Sequence, residues 1–273
     1  MKFKILFLKR LPFLLLPILI INCRKDDNPE YIPTGQSKEY AILNTNFSDL
    51  TGLVKFIENT DGSTTISVEL NNTVKGINNP VRLRRNTANI GGDIAVNLNE
   101  VKGEDGSSST TISKLVDGET ITFNQLAEFD GYIAIEDNST SILIAYSDIG
   151  PNELTGQKIS FDLLSPNGTF NGLVTIEERK KSTSALTIGV FGLSDNEELP
   201  CTLNILENDS IKEIIHQLSP VKSSFNGFSF NELTEINGKV ITYEQIRTLN
   251  AYIEVTNPNS SANFYAKGFI KIE

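Results

Sequence analysis

The chain carries one plan twice. Gly52-Leu53-Val54 recurs as Gly172-Leu173-Val174, and Pro80-x-x-Leu83 as Pro200-x-x-Leu203. Gly118-x-x-Ile121-Thr122 recurs as Gly238-x-x-Ile241-Thr242, and Tyr132-Ile133 as Tyr252-Ile253. Each pair is 120 positions apart. A register kept over that length means a supersecondary unit used twice, so the fold must be one that can be built in half of the 273 residues. A domain of roughly 110 residues buries a core without metals or disulfides. The two cysteines, Cys23 and Cys201, cannot supply a disulfide framework.

Within each copy the apolar residues alternate. Ile66, Val68 and Leu70 are interleaved with Thr65, Ser67 and Glu69, and Leu186, Ile188 and Val190 with Thr187 and Gly189. Val54 and Phe56 match Val174 and Ile176, and Ile133 and Ile135 match Ile253 and Val255. Ile94, Val96 and Leu98 read as an inward row, with Asp93, Ala95 and Asn97 facing away. Rows of period two, rich in β-branched residues and separated by Gly, Asn, Asp and Ser, predict antiparallel sheets with one buried face. The expected fold class is all-β: two tandem antiparallel Greek-key β-sandwich domains. Each has a short helical turn, at Thr122–Leu126 and Thr242–Ile246, where a threonine caps apolar residues three apart. Leu154–Leu164 is expected to open the second copy, and the stretch between copies is too short for a free linker.

The N-terminus reads as an address. Lys2, Lys4, Lys9 and Arg10 precede an apolar run, Leu11–Ile21, interrupted by Pro12 and Pro17. At about 11 residues this run falls short of the roughly 20 a spanning helix needs, and it reads as a signal segment removed on export. It ends Ile20-Ile21-Asn22-Cys23. This resembles a bacterial lipoprotein signal, with Asn22 in place of the usual small residue, and the resemblance implies lipid attachment at Cys23. Arg24-Lys25-Asp26-Asp27 resembles the surface-export signal of Bacteroidetes lipoproteins. The implied location is the cell outer membrane, lipid-anchored and surface-exposed. The expected division is a signal peptide over 1–22, a flexible tether over 23–38, one β-sandwich over 39–150 and a second over 151–273. The tether reading rests on Pro29, Pro33 and Gly35 between Asn28 and Lys38.

Charge narrows the partners. The net charge is −10. Without the four basic residues of the leader, 20 basic residues face 34 acidic ones, a net charge of −14. Such a surface repels nucleic acid. One histidine, His216, leaves almost no scope for metal or triad chemistry built on imidazole.

Asn79-Pro80-Val81-Arg82-Leu83-Arg84, the strand Gly91-Gly92-Asp93-Ile94-Ala95-Val96-Asn97-Leu98-Asn99, and Asp130-Gly131-Tyr132-Ile133 resemble the CHRD domain, a family named for the extracellular protein chordin. The resemblance covers roughly Asn46 to Gly150, and more loosely the second copy through Pro200, Leu218-Ser219-Pro220-Val221 and Tyr252-Ile253. It implies paired histidines on one strand, and those positions hold Arg82 and Arg84 in the first copy and Thr202 and Asn204 in the second. A guanidinium has no lone pair for a metal, and Thr and Asn are poor transition-metal ligands. No metal, cofactor or catalytic residue is therefore assigned.

Arg82 and Arg84, with Arg85 beside them, are the candidate ligand contacts, since guanidiniums clamp carboxylates in bidentate pairs. The structural alternative is pairing with acids on neighbouring strands. Cys201 reads as a buried apolar group and His216 as a hydrogen-bonded or edge residue. Glu104–Ser109 and Asp195–Glu198 read as solvated acidic turns without calcium-loop spacing. Asp209-Ser210-Ile211 resembles the short O-glycosylation signal of Bacteroidetes, which makes Ser210 a candidate site. The function expected is a non-enzymatic binding or structural module of the cell envelope, anchored to the membrane through Cys23, whose partner is a surface protein or glycan. The alternatives are a metal-dependent redox protein of dismutase-like fold, or an accessory subunit of a surface uptake or adhesion complex.

Overall fold

A computed structural model describes residues 31–45, 48–207, 210–257 and 264–270, with side chains described outside 207–215. Cys23 and Asp209 lie outside the described residues, as does the side chain of Ser210.

The first lobe contains β1 (Pro33–Asn44), β2 (Thr51–Asn59), β3 (Thr64–Asn71), β4 (Asn79–Arg85), β5 (Ile94–Val101), β6 (Ser107–Ile112), helix α1 (Phe123–Ala127), β7 (Gly131–Glu136) and β8 (Leu143–Ile149). A single 3-10 turn, Gly150–Asn152, leads into the second. That lobe contains β9 (Leu154–Leu164), β10 (Phe170–Arg179), β11 (Ser184–Val190), β12 (Glu198–Glu207), β13 (Ser210–Lys222), β14 (Phe228–Leu233), the short strands β15 (Glu235–Ile236) and β16 (Lys239–Val240), helix α2 (Tyr243–Ile246), β17 (Ala251–Thr256) and β18 (Phe264–Phe269).

Both lobes use one strand order. The first forms an eight-stranded antiparallel sheet, β5-β4-β7-β8-β1-β2-β3-β6, and the second a closed barrel, β10-β11-β14-β13-β12-β17-β18-β9. The first is nearly closed. Its end strands β5 and β6 meet through Asn99 Nδ2, which donates to the Ser109 carbonyl at 2.6 Å, and through the Lys102 N–H, which donates to the Ser107 carbonyl at 3.1 Å. In the second, Lys222 pairs with Phe228 and completes the ring. Alternating rows bury one face whether two sheets face each other or one sheet curls round, so alternation alone does not distinguish them.

Each lobe has its own core. Val54, Phe56, Ile66, Val68, Leu83 and Ile133 are buried in the first, and Val174, Ile176, Leu186, Ile188, Leu203 and Ile253 in the second. Each such side chain contributes about 1.5–3 kcal/mol by leaving water. The repeated motifs have structural causes. A Cβ on Gly52 would overlap the Glu69 carbonyl oxygen, and one on Gly172 the Gly189 carbonyl oxygen. Pro80 and Pro200 sit at bulges where pairing skips a residue, the strand position that tolerates a missing N–H. Thr122 and Thr242 each close a capping box with Gln125 and Gln245.

Two expectations are corrected. Residues 33–38, assigned to the tether, belong to β1 and pair with β2 from Pro33↔Asn59 onward. The Thr34 hydroxyl donates to Glu58 Oε2 at 2.7 Å, and the Gln36 N–H to Thr34 Oγ1 at 3.2 Å. Thr155 does the same to Glu178 at 2.8 Å, and Gln157 to Thr155 at 3.2 Å. Thr34-Gly35-Gln36 and Thr155-Gly156-Gln157 are thus one motif, set 121 positions apart by a one-residue slip. The second correction is Ala95, which is buried, because the β4–β5 register shifts between Leu83 and Arg84 and turns it inward.

Candidate functional site

Arg82 and Arg84 lie two apart on β4, so their side chains share a face. Both meet one acid, Glu136, at the end of β7. Arg82 Nη1 pairs with Glu136 Oε2, and Arg84 reaches Oε1 through Nη2 at 2.8 Å and Nε at 3.2 Å. Arg84 Nη1 also donates to the Gly92 carbonyl at 3.0 Å. Glu136 is buried, while each arginine side chain keeps about a quarter of its surface exposed, 24% and 25%. Both arginines thus pair with an acid of the neighbouring strand, which is the structural alternative to a ligand contact. Arg85 points elsewhere, to Asp117 at 3.0 Å and over the Phe129 ring. In the second lobe the equivalents are Thr202, Asn204 and Thr256, and Asn204 Nδ2 donates to Thr202 Oγ1 at 2.8 Å. All three charges are absent there together, which marks Arg82, Arg84 and Glu136 as one unit.

The most concentrated buried charge in the described molecule is one that sequence reading missed. Arg179, at the end of β10, is 1% exposed. Its Nη1 donates to Asp148 Oδ2 of β8 at 2.7 Å and to the Asn152 carbonyl at 2.5 Å, and its Nε to both oxygens of Glu232 at 2.8 Å. Asp148 also accepts the Ala88 N–H at 2.9 Å, and Glu232 the Thr183 hydroxyl at 2.9 Å. Burial pushes the Asp148 carboxyl above the usual range, and Arg179 opposes that shift. Burial likewise works against the guanidinium charge, but Asp148 and Glu232 outweigh it and hold Arg179 above its ordinary value. Asp148 belongs to the first lobe and Arg179 to the second, so this cluster fastens the lobes. Asn89 Nδ2 adds a second tie, donating to the Asn231 carbonyl at 2.9 Å. No signal in Glu177-Glu178-Arg179 separates this buried arginine from a solvated hairpin end.

Beside the cluster the lobes enclose a cavity of about 410 Å³. Ile142, Leu143 and Tyr146 wall it from the first lobe, and Pro220, Ser229 and Phe230 from the second. Its size falls in the range of small-ligand sites, and its lining is mostly apolar with a few polar groups, as such sites are. The Tyr146 hydroxyl has no hydrogen-bond partner among the described residues, and burial, then Asp148, pushes its pKa up, so it stays a donor. Neither copy alone has this cavity.

The remaining sequence candidates are structural in their surroundings. Cys201 is buried, and burial pushes its thiol up to about 12. His216 lies opposite Leu203 in the β12–β13 ladder, half-buried. Asp105 accepts the N–H and hydroxyl of Ser107 at 3.0 and 2.9 Å, and Glu197 the Ser194 N–H at 2.8 Å, so these acids close their own turns. Among the described residues no group of three or more His, Cys, Asp or Glu side chains is placed to hold a metal ion, and no helix there is long and apolar enough to cross a membrane. Comparison of the chain with protein-family models, with curated proteins and with solved structures found no match.

Proposed function

We propose that the chain is a non-enzymatic lipoprotein of the cell envelope, in which two tandem CHRD-like Greek-key β-sandwiches act together as a binding module. Lipid on Cys23 holds it at the outer membrane, facing outward, and its partner is a surface protein or a glycan. The leader, Cys23 and the charged residues after it support the location. In the second lobe β12, β13 and β14 are consecutive neighbours and β11 lies beside β14, the connectivity that supports the Greek-key reading. The observation that carries the binding role is the cavity between the lobes, walled by residues of both copies, Tyr146 among them.

The test is retention of the purified chain on glycan and surface-protein arrays, alongside Ile142→Glu. Ile142 is an exposed rim residue at 44%, so this change sets a charge at the cavity mouth without disturbing a core. Retention of the native chain and its loss in the variant are expected. An array that retains neither, or both equally, removes the cavity from the account.

A further inference from the structure

We infer that Arg82 is the centre of an anion site on the outer face of the first lobe, which takes a carboxylate of an acidic saccharide. The site is separate from the cavity between the lobes, which Arg82 does not line. Pairing with Glu136 uses only part of the two guanidiniums. Arg84 commits every nitrogen, Nε and Nη2 to Glu136 Oε1 and Nη1 to the Gly92 carbonyl. Arg82 commits Nη1 alone. Its Nε and Nη2 have no partner among the described residues, and neither atom is buried. These two nitrogens form one edge of the planar fork, the edge that meets both oxygens of a carboxylate.

Two cations are answered here by one acid. Asp93 and Glu100 flank β5 but form no ion pair with either arginine, and Asp117 is taken by Arg85. The set of two guanidiniums and one carboxylate thus keeps one positive charge, on a chain whose net charge is −10. A single carboxylate cancels that charge, whereas a phosphate ester, at roughly −1.5 to −2, overshoots it. The fold does not require these charges. In the second lobe Thr202, Asn204 and Thr256 hold the same places, and Thr202 and Asn204 are buried and bonded to each other. A buried ion pair contributes little net stability, because desolvation offsets the attraction. A charged set present in one copy only, with an open fork, is accounted for by a ligand.

The surroundings narrow the ligand further. Asn97 of β5 stands directly opposite Arg82 in the ladder, so their Cβ atoms lie about 4.5–5.5 Å apart on one face. Asn97 is exposed, and its amide has no partner among the described residues. The fork therefore has a neutral donor and acceptor beside it, suited to hydroxyl groups next to the carboxylate. No large apolar side chain of β4, β5 or β7 stands exposed. Protein partners anchor through such side chains, so this face fits a sugar acid better than an acidic peptide.

Trigalacturonate is the probe, titrated into the full chain at fixed ionic strength while the Arg82 Nε–H signal is followed by NMR. A saturable shift is expected, and none with the fully methyl-esterified trimer, which has the same rings without the charge. Asn97→Asp sets a carboxylate beside the fork from an exposed position, and is expected to weaken binding about tenfold. Unchanged thermal melting checks that its fold is intact. Arg82→Thr, Arg84→Asn and Glu136→Thr together install the residues of the second lobe and are expected to abolish binding, read at the Asn97 side-chain amide. Ile142→Glu, at the cavity between the lobes, leaves it intact, so failure of one site is distinguishable from failure of the other. No saturable shift, equal affinity in Asn97→Asp, or loss of binding in Ile142→Glu overturns the assignment. So does equal or tighter binding of triglutamate or of a sulfated galactose trimer, which makes the ligand an acidic peptide or a sulfate ester instead.

Discussion

Single residues set the local chemistry through the hydrogen bonds they accept. Asp137 follows β7, and its Oδ1 accepts from Ser139 Oγ at 2.6 Å, from Thr140 Oγ1 at 2.8 Å and from the backbone N–H of both residues at 3.0 and 2.8 Å. These bonds, led by the Ser139 hydroxyl and then that of Thr140, favour the carboxylate and hold its pKa at about 2. The sign follows from a lowered folded-state value: the contribution to stability is present above the ordinary carboxyl pKa and is lost as pH falls through about 2. A carboxyl-detected NMR titration is expected to place the Asp137 midpoint near that value. A midpoint near 4, the free-carboxyl range, contradicts the turn geometry. Cys201 shows the opposite environment, where an apolar core keeps the thiol protonated.

At the scale of strands, Arg82, Arg84 and Glu136 act as a set. Removing the acid alone leaves two like charges facing each other on β4, whereas the second lobe carries Thr202, Asn204 and Thr256 at the same places. Glu136→Thr is expected to lower unfolding free energy by about 1–3 kcal/mol, the cost of leaving charged hydrogen-bonding groups unpaired. Arg82→Thr and Arg84→Asn added to it should restore most of that loss, measured by urea denaturation. Additive losses would show that the three do not form a unit. Much of this level was legible in the sequence. Alternation located the buried rows, and the threonines before Phe123 and Tyr243 marked both capped turns. The shared face of Arg82 and Arg84 followed from the strand period. Less legible was anything dependent on a bulge, such as Ala95, or on a slip in the repeat, such as Thr34-Gly35-Gln36. A slip of one residue hides a match from a fixed offset while leaving the hydrogen bonds identical.

For the whole molecule, the junction of the lobes was least legible. Arg179 replaces Asn59 of the first copy, and Glu232 and Asp148 come from strands that only the folded chain brings together. Residues 32–273 form one contact unit, and the cavity proposed as the binding site exists only while that unit holds. Its fixed shape depends on the buried cluster. Arg179→Met leaves Asp148 and Glu232 as buried carboxylates without their cation, a change that costs about 3–5 kcal/mol. The most direct measurement is urea unfolding followed by pulsed hydrogen exchange, with peptides from each lobe read separately, on the native chain and on Arg179→Met. Both lobes of the native chain are expected to lose protection together at one urea concentration, and in the variant at a lower one. Two separate transitions in the native chain, or an unmoved midpoint in the variant, would contradict a binding module built from two copies joined at Arg179.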